Sequence, residues 1–226
     1  MKCDEQLSLH GQKLIKMYQS MAREGYDRVD GIRVDDAYND FEMRKFRYIC
    51  KDAFVSNNVK TVLDYGAGGS DWDAPAFDPT SCTTAKQFFD VDLVYSFEPA
   101  RDLFIKTKAD CVVCMDVLEH IFISDIPKVV DELFKLSEKL LIVNVACYKA
   151  GALLPNGENA HVTVRNPDWW KGVFDVISSN YKDVEVLLIC SKTYISGIIY
   201  DRFKSSEWDL SQSFETHVVG HDFQPD

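Results

Sequence analysis

Hydrophobic residues along the chain follow two spacings, one typical of helices and one typical of buried strands. Apolar positions that recur every three to four residues predict helices over residues 4–24, 37–56, 83–89, 125–138 and 167–179. Short apolar runs between turn-forming residues predict strands over residues 59–65, 92–97, 111–115, 140–146, 184–190 and 194–200. Strands that alternate with helices pair in parallel through right-handed crossovers. The pattern therefore predicts an α/β fold with a doubly wound, mostly parallel sheet.

The organisation of the chain favours a single domain. No internal repeat, low-complexity block or change of composition divides its 226 residues, and this length suffices for one well-buried core. We expect one domain over residues 1–205, in which amino-terminal helices (residues 1–56) cover a core (residues 59–205). Residues 206–226 are polar and acidic, and we expect them to form a partly disordered or loosely docked tail.

The composition argues against some partners. Lys and Arg number 25 and Asp and Glu number 36, so the formal net charge is −11, which opposes broad contact with nucleic acid or with an anionic membrane. The first residues lack the apolar core of a signal peptide, and no stretch approaches the ~18 apolar residues needed to span a bilayer. The seven scattered cysteines are then expected to be reduced thiols in a cytoplasmic protein.

The carboxyl ends of the predicted strands carry acidic residues. In doubly wound sheets, ligands bind at these ends, near the switch in strand order. Asp64 precedes a glycine-rich turn, Glu98 ends the next strand, and Asp116 ends a third. Asp64 can accept a hydrogen bond from a ligand amine, and the Glu98 carboxylate can accept both hydroxyls of a ribose. Three acids at successive strand ends favour a nucleoside-containing cofactor over the alternative of helix caps and turn formers.

The residues after the glycine turn argue against a dinucleotide. Such a cofactor needs a helix amino terminus directed at its pyrophosphate immediately after the glycines. Asp71 and Asp73 stand there instead, and their charge would repel the phosphates. A cofactor with a cationic sulfonium group and a zwitterionic tail tolerates these acids better.

Three segments together resemble a known family. Residues 62–69 (VLDYGAGG), 97–99 (FEP) and 115–121 (MDVLEHI) are similar to motifs of the class I S-adenosylmethionine-dependent methyltransferases of the small-molecule type. The resemblance spans residues 60–200 and is most specific at DVLEHI. It implies a Rossmann-like fold, S-adenosyl-L-methionine as the cofactor, and a methyltransferase domain over residues 1–205.

The resemblance also implies which residues contact the cofactor. The turn of residues 66–68 would carry the methionine part, Glu98 would hold the ribose, and Asp116 with Val117 would lie along the cofactor. The expected cofactor-binding residues are Asp64, Tyr65, Gly66, Ala67, Gly68, Glu98, Asp116 and Val117.

The sequence departs from the family pattern in three places. Ser70 stands where a third glycine is usual, so the pattern does not predict close helix packing there. The proline-rich segment of residues 71–81 replaces the usual start of the first crossover helix. Only about a dozen residues separate Glu98 from the strand at 111–115. One strand of the family's seven, with its adenine-binding acid, is therefore expected to be missing or rebuilt.

The loop of residues 147–165 is expected to shape the acceptor pocket. His161 can serve as a general base near neutral pH, although a loop histidine bonded to backbone is an equally good interpretation. Asn159 could orient the acceptor, and Arg165 could pair with an acidic group of it. We predict His161 and Asn159 as catalytic residues, with His120 as the second candidate base.

A metal site is not expected from the sequence. Cys111 and Cys114 are three positions apart within a strand, so their thiols face opposite sides of the sheet. The sequence offers no second cysteine pair that would complete a zinc site. We interpret both cysteines as buried strand residues.

These interpretations together predict an S-adenosylmethionine-dependent methyltransferase that acts on an oxygen or nitrogen of a small-molecule acceptor, sugar-like or another metabolite. The amino-terminal helices would form a lid that brings Tyr18, Tyr26 or Tyr38 near the cofactor. Two alternatives stay open: a non-catalytic S-adenosylmethionine-binding module, and an enzyme that cleaves the cofactor on the same fold. Neither nucleic acid nor a membrane is an expected partner, and the oligomeric state stays open.

Overall fold

The computed structural model of the chain describes residues 7–35, 41–194, 196–208 and 221–223. This part of the chain contains five α-helices: α1 (Leu9–Glu24), α2 (Arg47–Ser56), α3 (Ala85–Phe89), α4 (Ile126–Leu136) and α5 (Pro167–Ser178). Its strands are β1 (Tyr26–Asp27), β2 (Arg33–Val34), β3 (Thr61–Tyr65), β4 (Leu93–Glu98), β5 (Leu103–Phe104), β6 (Ala109–Met115), β7 (Ser137–Ala146), β8 (Glu185–Ser191), β9 (Ile198–Lys204) and β10 (His221–Phe223). Among these residues, no helix is long and apolar enough to cross a membrane.

Eight of the strands form one sheet, in the order β10–β9–β8–β7–β6–β3–β4–β5. Strands β4, β3, β6, β7 and β8 run parallel, while β5 on one side and β9 and β10 on the other pair antiparallel. The predicted α/β class with a mostly parallel central sheet is confirmed, and the arrangement is compatible with a Rossmann-like fold. Strands β1 and β2 form a separate two-stranded hairpin.

The strand order reverses between β3 and β6. From β3 the chain builds outward through β4 to β5, and it then returns to the other side of β3 to build β6, β7 and β8. The carboxyl ends of β3 and β6 therefore flank the switch point, which is where ligands bind in such sheets. Tyr65 and Met115 are the last residues of these two strands. The segments that follow them border the crevice.

Two hydrophobic cores cover the sheet, one on each face. In β6, Val112 and Cys114 belong to the core that contains α4 and α5, whereas Cys111 and Val113 belong to the core that contains α2 and α3. This alternation is the normal period of a strand that is buried on both sides. It confirms that Cys111 and Cys114 face opposite sides of the sheet.

Two predicted elements have clearly different boundaries in the structure. The last predicted strand, 194–200, is instead β9, because residues 192–194 and 196–197 belong to the turn that joins β8 to β9. Gly197 closes this turn with φ +65°, a conformation that favours glycine. Residues 37–40 of the helix predicted over 37–56 lie outside the described part of the chain; in the remainder a 3₁₀ turn (Glu42–Phe46) comes first, and regular α-helix begins at Arg47.

Short strands occur where none was predicted. The connection between the first two predicted helices contains the hairpin of β1 and β2, and residues 99–108 contain the two-residue β5. Within the predicted tail, β10 pairs with β9, while residues 209–220 and 224–226 lie outside the described part of the chain. Tyr38, one of the lid candidates, also lies outside it.

Helix α1 is docked onto the segment that follows β6 through Ser8. The Ser8 hydroxyl caps the helix by accepting from the amide of Gly11 at 3.1 Å, and it donates to Oδ2 of Asp125 at 2.7 Å. The Ser8 amide donates to Oδ1 of the same carboxylate at 2.8 Å. A Cβ on Gly11 would lie 2.4 Å from Asp125 Oδ2, so the close approach requires glycine. Asp125 therefore fixes where α1 begins.

Candidate functional site

A cavity of about 700 Å³ lies at the carboxyl ends of β3, β4 and β6. This volume is within the range of small-molecule binding sites. The strand-end turns, helix α1 and the loop after β7 all contribute to its lining. All the cofactor-binding residues predicted from the sequence line it: Asp64, Tyr65, Gly66, Ala67, Gly68, Glu98, Asp116 and Val117. The fold thus brings the three strand-end motifs to one place.

The glycine turn after β3 packs tightly against the segment after β6. Gly66 has φ +80° and Gly68 has φ +53°, conformations that residues with side chains rarely adopt. A Cβ on Gly66 would lie 2.3 Å from Cγ2 of Val117. The amides of Gly66 and Ala67 donate to the carbonyl of Phe97, at 2.7 and 3.1 Å. Glycine at position 66 is therefore required by its own backbone and by its neighbour.

Asp64 is buried, and its Oδ2 accepts a hydrogen bond of 2.8 Å from the indole nitrogen of Trp72. Burial, with a smaller contribution from the charge of Glu98, raises the pKa of Asp64 to about 7 against the opposing effect of the Trp72 bond. Trp72 and Phe77 lie in the core that contains α2 and α3. The proline-rich segment of residues 71–81 is therefore anchored in that core and places an indole beside Asp64.

Glu98 joins two turns through its carboxylate. Oε2 accepts from the amide of Gly68 at 3.0 Å, and Oε1 accepts from the amide of Ala100 at 2.8 Å. Desolvation raises the pKa of Glu98 against the opposing effect of these two amides. Because a carboxylate oxygen has two lone pairs, each oxygen keeps acceptor capacity for a ligand hydroxyl.

The segment after β6 carries two carboxyl groups. Asp116, with φ +58°, lines the cavity. Glu119 is fully buried: its Oε1 accepts from the amide of Ala146, and its Oε2 has no hydrogen-bond partner among the described residues. Burial, followed by the charge of Asp116, raises the pKa of Glu119 well above its usual range. An ionisable group thus stands at the cavity wall with a second one buried near it.

His120 and His161 meet in the cavity, although they come from different loops. Their ring centroids lie 4.8 Å apart in an edge-to-face arrangement. Nδ1 of His161 lies 2.6 Å from the carbonyl oxygen of Tyr148, and Nδ1 of His120 lies 3.0 Å from that of Ala160. A carbonyl oxygen can only accept, so both Nδ1 atoms carry a proton and both Nε2 atoms keep a lone pair in the neutral rings.

His120 is a poor candidate for the general base. Desolvation of the ring, followed by the charge of His161, lowers the pKa of His120 to about 4. At neutral pH His120 is therefore uncharged and a weak base, since a general base works best with a pKa near the operating pH. Of the two candidate bases this leaves His161, whose ring is oriented by the contact of Nδ1 with the carbonyl of Tyr148.

Asn159 and Arg165 are placed differently from what the sequence suggested. Oδ1 of Asn159 accepts from the amides of Ala150 and His161, and its Nδ2 donates to the carbonyl of Ala150. Asn159 thus holds the loop that carries His161, and the contact with an acceptor predicted for it stays a prediction. Arg165 is exposed, and its guanidinium lies over the ring of Trp169 rather than in the cavity.

Helix α1 supplies one wall of the cavity. The Tyr18 hydroxyl donates to the carbonyl of Ala160 at 2.6 Å and lies 3.1 Å from Nδ1 of His120, and Tyr26 also lines the space. Helix α2, in contrast, packs in a core of the sheet. Within the predicted lid of residues 1–56, α1 rather than α2 therefore covers the site. The α1 residues in the lining are Gly11, Leu14, Ile15, Tyr18 and Met21.

Some lining residues carry no signal in the sequence. Arg28, Lys106 and Tyr148 line the cavity, although they lie in segments without a motif or a clear period. Lys106 forms an ion pair with Glu132, and its ammonium nitrogen lies 4.2 Å from the ring centroid of Phe97. The one sequence feature that points towards Lys106 is the unusually short segment between Glu98 and the next predicted strand, in which Lys106 lies.

Asp116, His120 and His161 form a group that could hold a metal ion. A carboxylate oxygen of Asp116 and one ring nitrogen of each histidine lie within 4.8 Å of one another. The sequence predicted no metal site, because spacing along the chain does not reveal that these two loops meet. The group lines the same cavity as the predicted cofactor contacts.

No protein-family model, curated protein or solved structure matches the chain. The resemblance to class I methyltransferases therefore rests on the residues of the three motifs. A proposed function must therefore be argued from the residues that line the cavity and from their positions.

Proposed function

We propose that the protein is an S-adenosylmethionine-dependent methyltransferase that transfers a methyl group to an oxygen or nitrogen atom of a small-molecule acceptor. One observation carries the proposal: Asp64, Glu98 and Asp116, which stand at the ends of three neighbouring strands, line a single cavity at the switch point of the sheet. A carboxylate-rich cavity of this kind suits a cationic, nucleoside-containing cofactor better than a pyrophosphate.

The residues at the strand ends fit the chemical groups of this cofactor. When ionised, the buried Asp64 carboxylate attracts the amine of the methionine part, and the lone pairs that remain on Glu98 suit the hydroxyls of a ribose. Glycine at positions 66 and 68 lets a ligand approach the backbone closely. Bound there, the cofactor would supply an electrophilic methyl group.

The acceptor would lie near His161, which lines the same cavity. As the acceptor atom bonds to the methyl carbon, the sulfur–methyl bond breaks and sulfur keeps the electron pair. Nε2 of His161 would take the proton that the acceptor loses, since Nδ1 is engaged with the carbonyl of Tyr148. Such a transfer depends mainly on alignment and on a dry cavity, so no covalent catalysis is needed.

Calorimetry with S-adenosylhomocysteine tests the proposal. We expect the wild-type protein to bind this ligand, and Glu98→Ala and Asp64→Ala to weaken binding about tenfold or more, because each removes a charge-assisted contact. Glu138→Ala is the matched control, since Glu138 is exposed at the opposite end of the sheet, where β7 begins. Absence of binding, or equal binding by all four proteins, contradicts the proposal.

Two further assays separate the alternatives that share this cofactor. Incubation with S-adenosylmethionine alone, followed by analysis for adenosine-type products, detects cleavage of the cofactor in the absence of any acceptor. A non-catalytic binding module would bind S-adenosylhomocysteine equally well with His161→Ala and would methylate no component of a small-molecule extract. Methyl transfer that depends on His161 supports the proposed function.

A further inference from the structure

We propose that Asp116, His120 and His161 form a binding site for a divalent transition-metal cation. One carboxylate oxygen and two ring nitrogens from these residues lie within 4.8 Å of one another in the lining of the cavity. Two imidazoles and one carboxylate are a recurrent ligand set for such ions. The ligands come from two separate segments, after β6 and after β7, so only the folded chain assembles them.

The distances require a small adjustment when an ion enters. Nitrogen and oxygen ligands lie about 2.0–2.2 Å from zinc, so two ligands of one ion are at most about 4.4 Å apart. The three groups, which lie within 4.8 Å of one another, would have to close by at least roughly 0.4 Å. Asp116 is a partly exposed residue of the cavity lining, so its side chain has room to move towards the histidines.

Both histidines are held in a tautomer that leaves Nε2 unprotonated and so able to bind a metal ion. Each Nδ1 donates to a backbone carbonyl, that of Ala160 for His120 and that of Tyr148 for His161, so each Nε2 is a lone-pair donor. Ligating histidines nearly always donate their second ring N–H to a carbonyl or carboxylate, and this bond fixes the orientation of the ring. Two adjacent rings fixed in this way are an observation independent of the ligand distances.

Glu119 is the second independent observation. Its carboxyl is completely buried beside that of Asp116, and among the described residues no donor reaches its Oε2 with normal hydrogen-bond geometry. A buried polar atom without a partner is costly. A cation held by Asp116 would attract the Glu119 carboxyl, and Glu119 would in turn orient the ligands from outside the coordination shell.

The donor set identifies the class of ion. Magnesium, calcium and manganese favour oxygen ligands, whereas imidazole nitrogen suits zinc, copper, iron and nickel. Three protein ligands also leave open positions on the ion, as in catalytic rather than structural sites. These positions are available to a ligand because all three residues line the cavity.

The role suggested here for the ion depends on the proposed methyl transfer. The proposal that the ion binds at this site does not depend on it. An acceptor hydroxyl bound to the ion would release its proton to water more readily. Its oxygen would then bond to the methyl carbon while the sulfur–methyl bond breaks and sulfur keeps the electron pair. In the metal-loaded protein both Nε2 lone pairs would be on the ion, so His161 would position the acceptor; it would take the acceptor's proton only in the metal-free protein.

Metal titration of the full chain tests the site. The protein is prepared without a polyhistidine tag, treated with a chelator, and titrated with Zn²⁺ and Mg²⁺ by calorimetry and with Co²⁺ by visible absorption. We expect one Zn²⁺ per chain, much weaker Mg²⁺ binding, and ligand-field bands from bound Co²⁺. Asp116→Asn, His120→Ala and His161→Ala should each weaken Zn²⁺ binding about tenfold or more.

The matched control is His10→Ala, because His10 is an exposed histidine that stacks on Phe122. It should bind Zn²⁺ like the wild type. Circular dichroism shows whether each variant folds, and zinc-edge anomalous diffraction from crystals of the loaded wild-type protein locates the ion without any variant. An ion found elsewhere, equal Zn²⁺ affinity in all variants, or no stoichiometric binding overturns the site.

Binding of S-adenosylhomocysteine by the chelator-treated protein is measured alongside. If that binding persists while Zn²⁺ does not bind, the metal site is wrong and the proposed function stands. If Zn²⁺ binds at the site while S-adenosylhomocysteine does not bind with or without the ion, the proposed function is wrong and the metal site stands.

Discussion

The indole nitrogen of Trp72 donates a hydrogen bond of 2.8 Å to Oδ2 of Asp64, and both side chains are buried. This bond ties the proline-rich segment to the end of β3. Trp72→Phe would leave a buried carboxylate oxygen without its donor, so we expect it to lower the free energy of unfolding by roughly 1–3 kcal/mol from the lost bond. Urea unfolding at a pH above about 7, where Asp64 is ionised, measures the change.

Trp170→Phe is the matched control for Trp72→Phe. Trp170 is fully buried, but its Nε1 has no hydrogen-bond partner within the described part of the chain. The two variants lose the same atoms, and only the first loses a bond. Equal destabilisation by both would show that the bond to Asp64 contributes nothing to stability.

The raised pKa of Asp64 makes the stability of the fold depend on pH. The carboxyl ionises near 3.8 in the unfolded chain and near 7 in the fold. Between these values the unfolded state releases a proton that the folded state keeps, so this group lowers the free energy of unfolding as the pH rises from about 4 to about 7. Asp64→Asn replaces the carboxyl with an amide that does not ionise in this pH range. Its stability relative to the wild type should therefore grow over that interval, by at most roughly 4 kcal/mol.

Denaturant unfolding of wild-type and Asp64→Asn proteins across this pH range provides the measurement. Other groups titrate in both proteins, so only the difference between the two curves reports on Asp64. A difference that does not change between about pH 4 and about pH 7 would mean that Asp64 ionises normally in the fold.

Ligand binding should depend on the same carboxyl. Under the proposed function, the ligand amine prefers an ionised Asp64, which the free protein supplies only as the pH reaches about 7. The affinity for S-adenosylhomocysteine should thus rise with pH, by up to about tenfold per unit, and level off above about 7. Calorimetry from about pH 5.5 to about pH 8.5 measures this profile. Asp64→Asn should bind weakly with a flatter profile, and an equally steep profile in that variant would assign the titration to another group.

The contact between Gly66 and Val117 can be tested by a pair of substitutions. Gly66→Ala places a Cβ 2.3 Å from Cγ2 of Val117 and forces a side chain onto φ +80°. We expect a loss of roughly 2–4 kcal/mol in the free energy of unfolding, from strain at positive φ and from the clash. Val117→Ala removes the clashing methyl groups, so the double variant should recover part of this loss.

A double-mutant cycle separates the two contributions at Gly66. Recovery in the double variant measures the clash, and the remaining loss measures the backbone strain. Purely additive effects of the two substitutions would mean that the turns relax apart and do not press on each other.

Asp125 should control how firmly α1 is held. Its carboxylate accepts from both the amide and the hydroxyl of Ser8. Asp125→Ala removes both bonds, so we expect faster hydrogen exchange throughout α1 and a loss of roughly 1–2 kcal/mol, similar to the loss of a helix cap. Asp131→Ala on α4 is the control, because it removes a bond to Tyr181 and none to α1. Equal exchange in α1 for the two variants would contradict the docking role of Ser8.

Local physics made much of the fold predictable. Val129, Val130 and Leu133 recur at helical spacing and form the buried face of α4, and β7 reads as a continuous apolar run because it is covered on both faces. The last strand was placed too early because Gly197, which ends a turn, sits inside an apolar stretch. In that stretch the turn, and not the hydrophobic pattern, determines where the strand begins.

The strand-end acids were predictable because parallel strands carry their carboxyl ends to one edge. The meeting of His120 with His161 was not, since it depends on how the loop after β7 folds back over the segment after β6. Asn159 shows the same limit. Its side chain suggested acceptor binding, but the amide is used to shape its own loop, and only the folded contacts reveal that.

Hydrogen bonds and packing join the three strand-end turns into one frame. Glu98 links the turn after β3 to the turn after β4, and Gly66 rests against Val117 in the turn after β6. The frame is therefore preorganised: a ligand meets turns that already hold their shape. Little of its binding free energy is lost in ordering them, and that free energy remains for affinity or for alignment of the reacting groups.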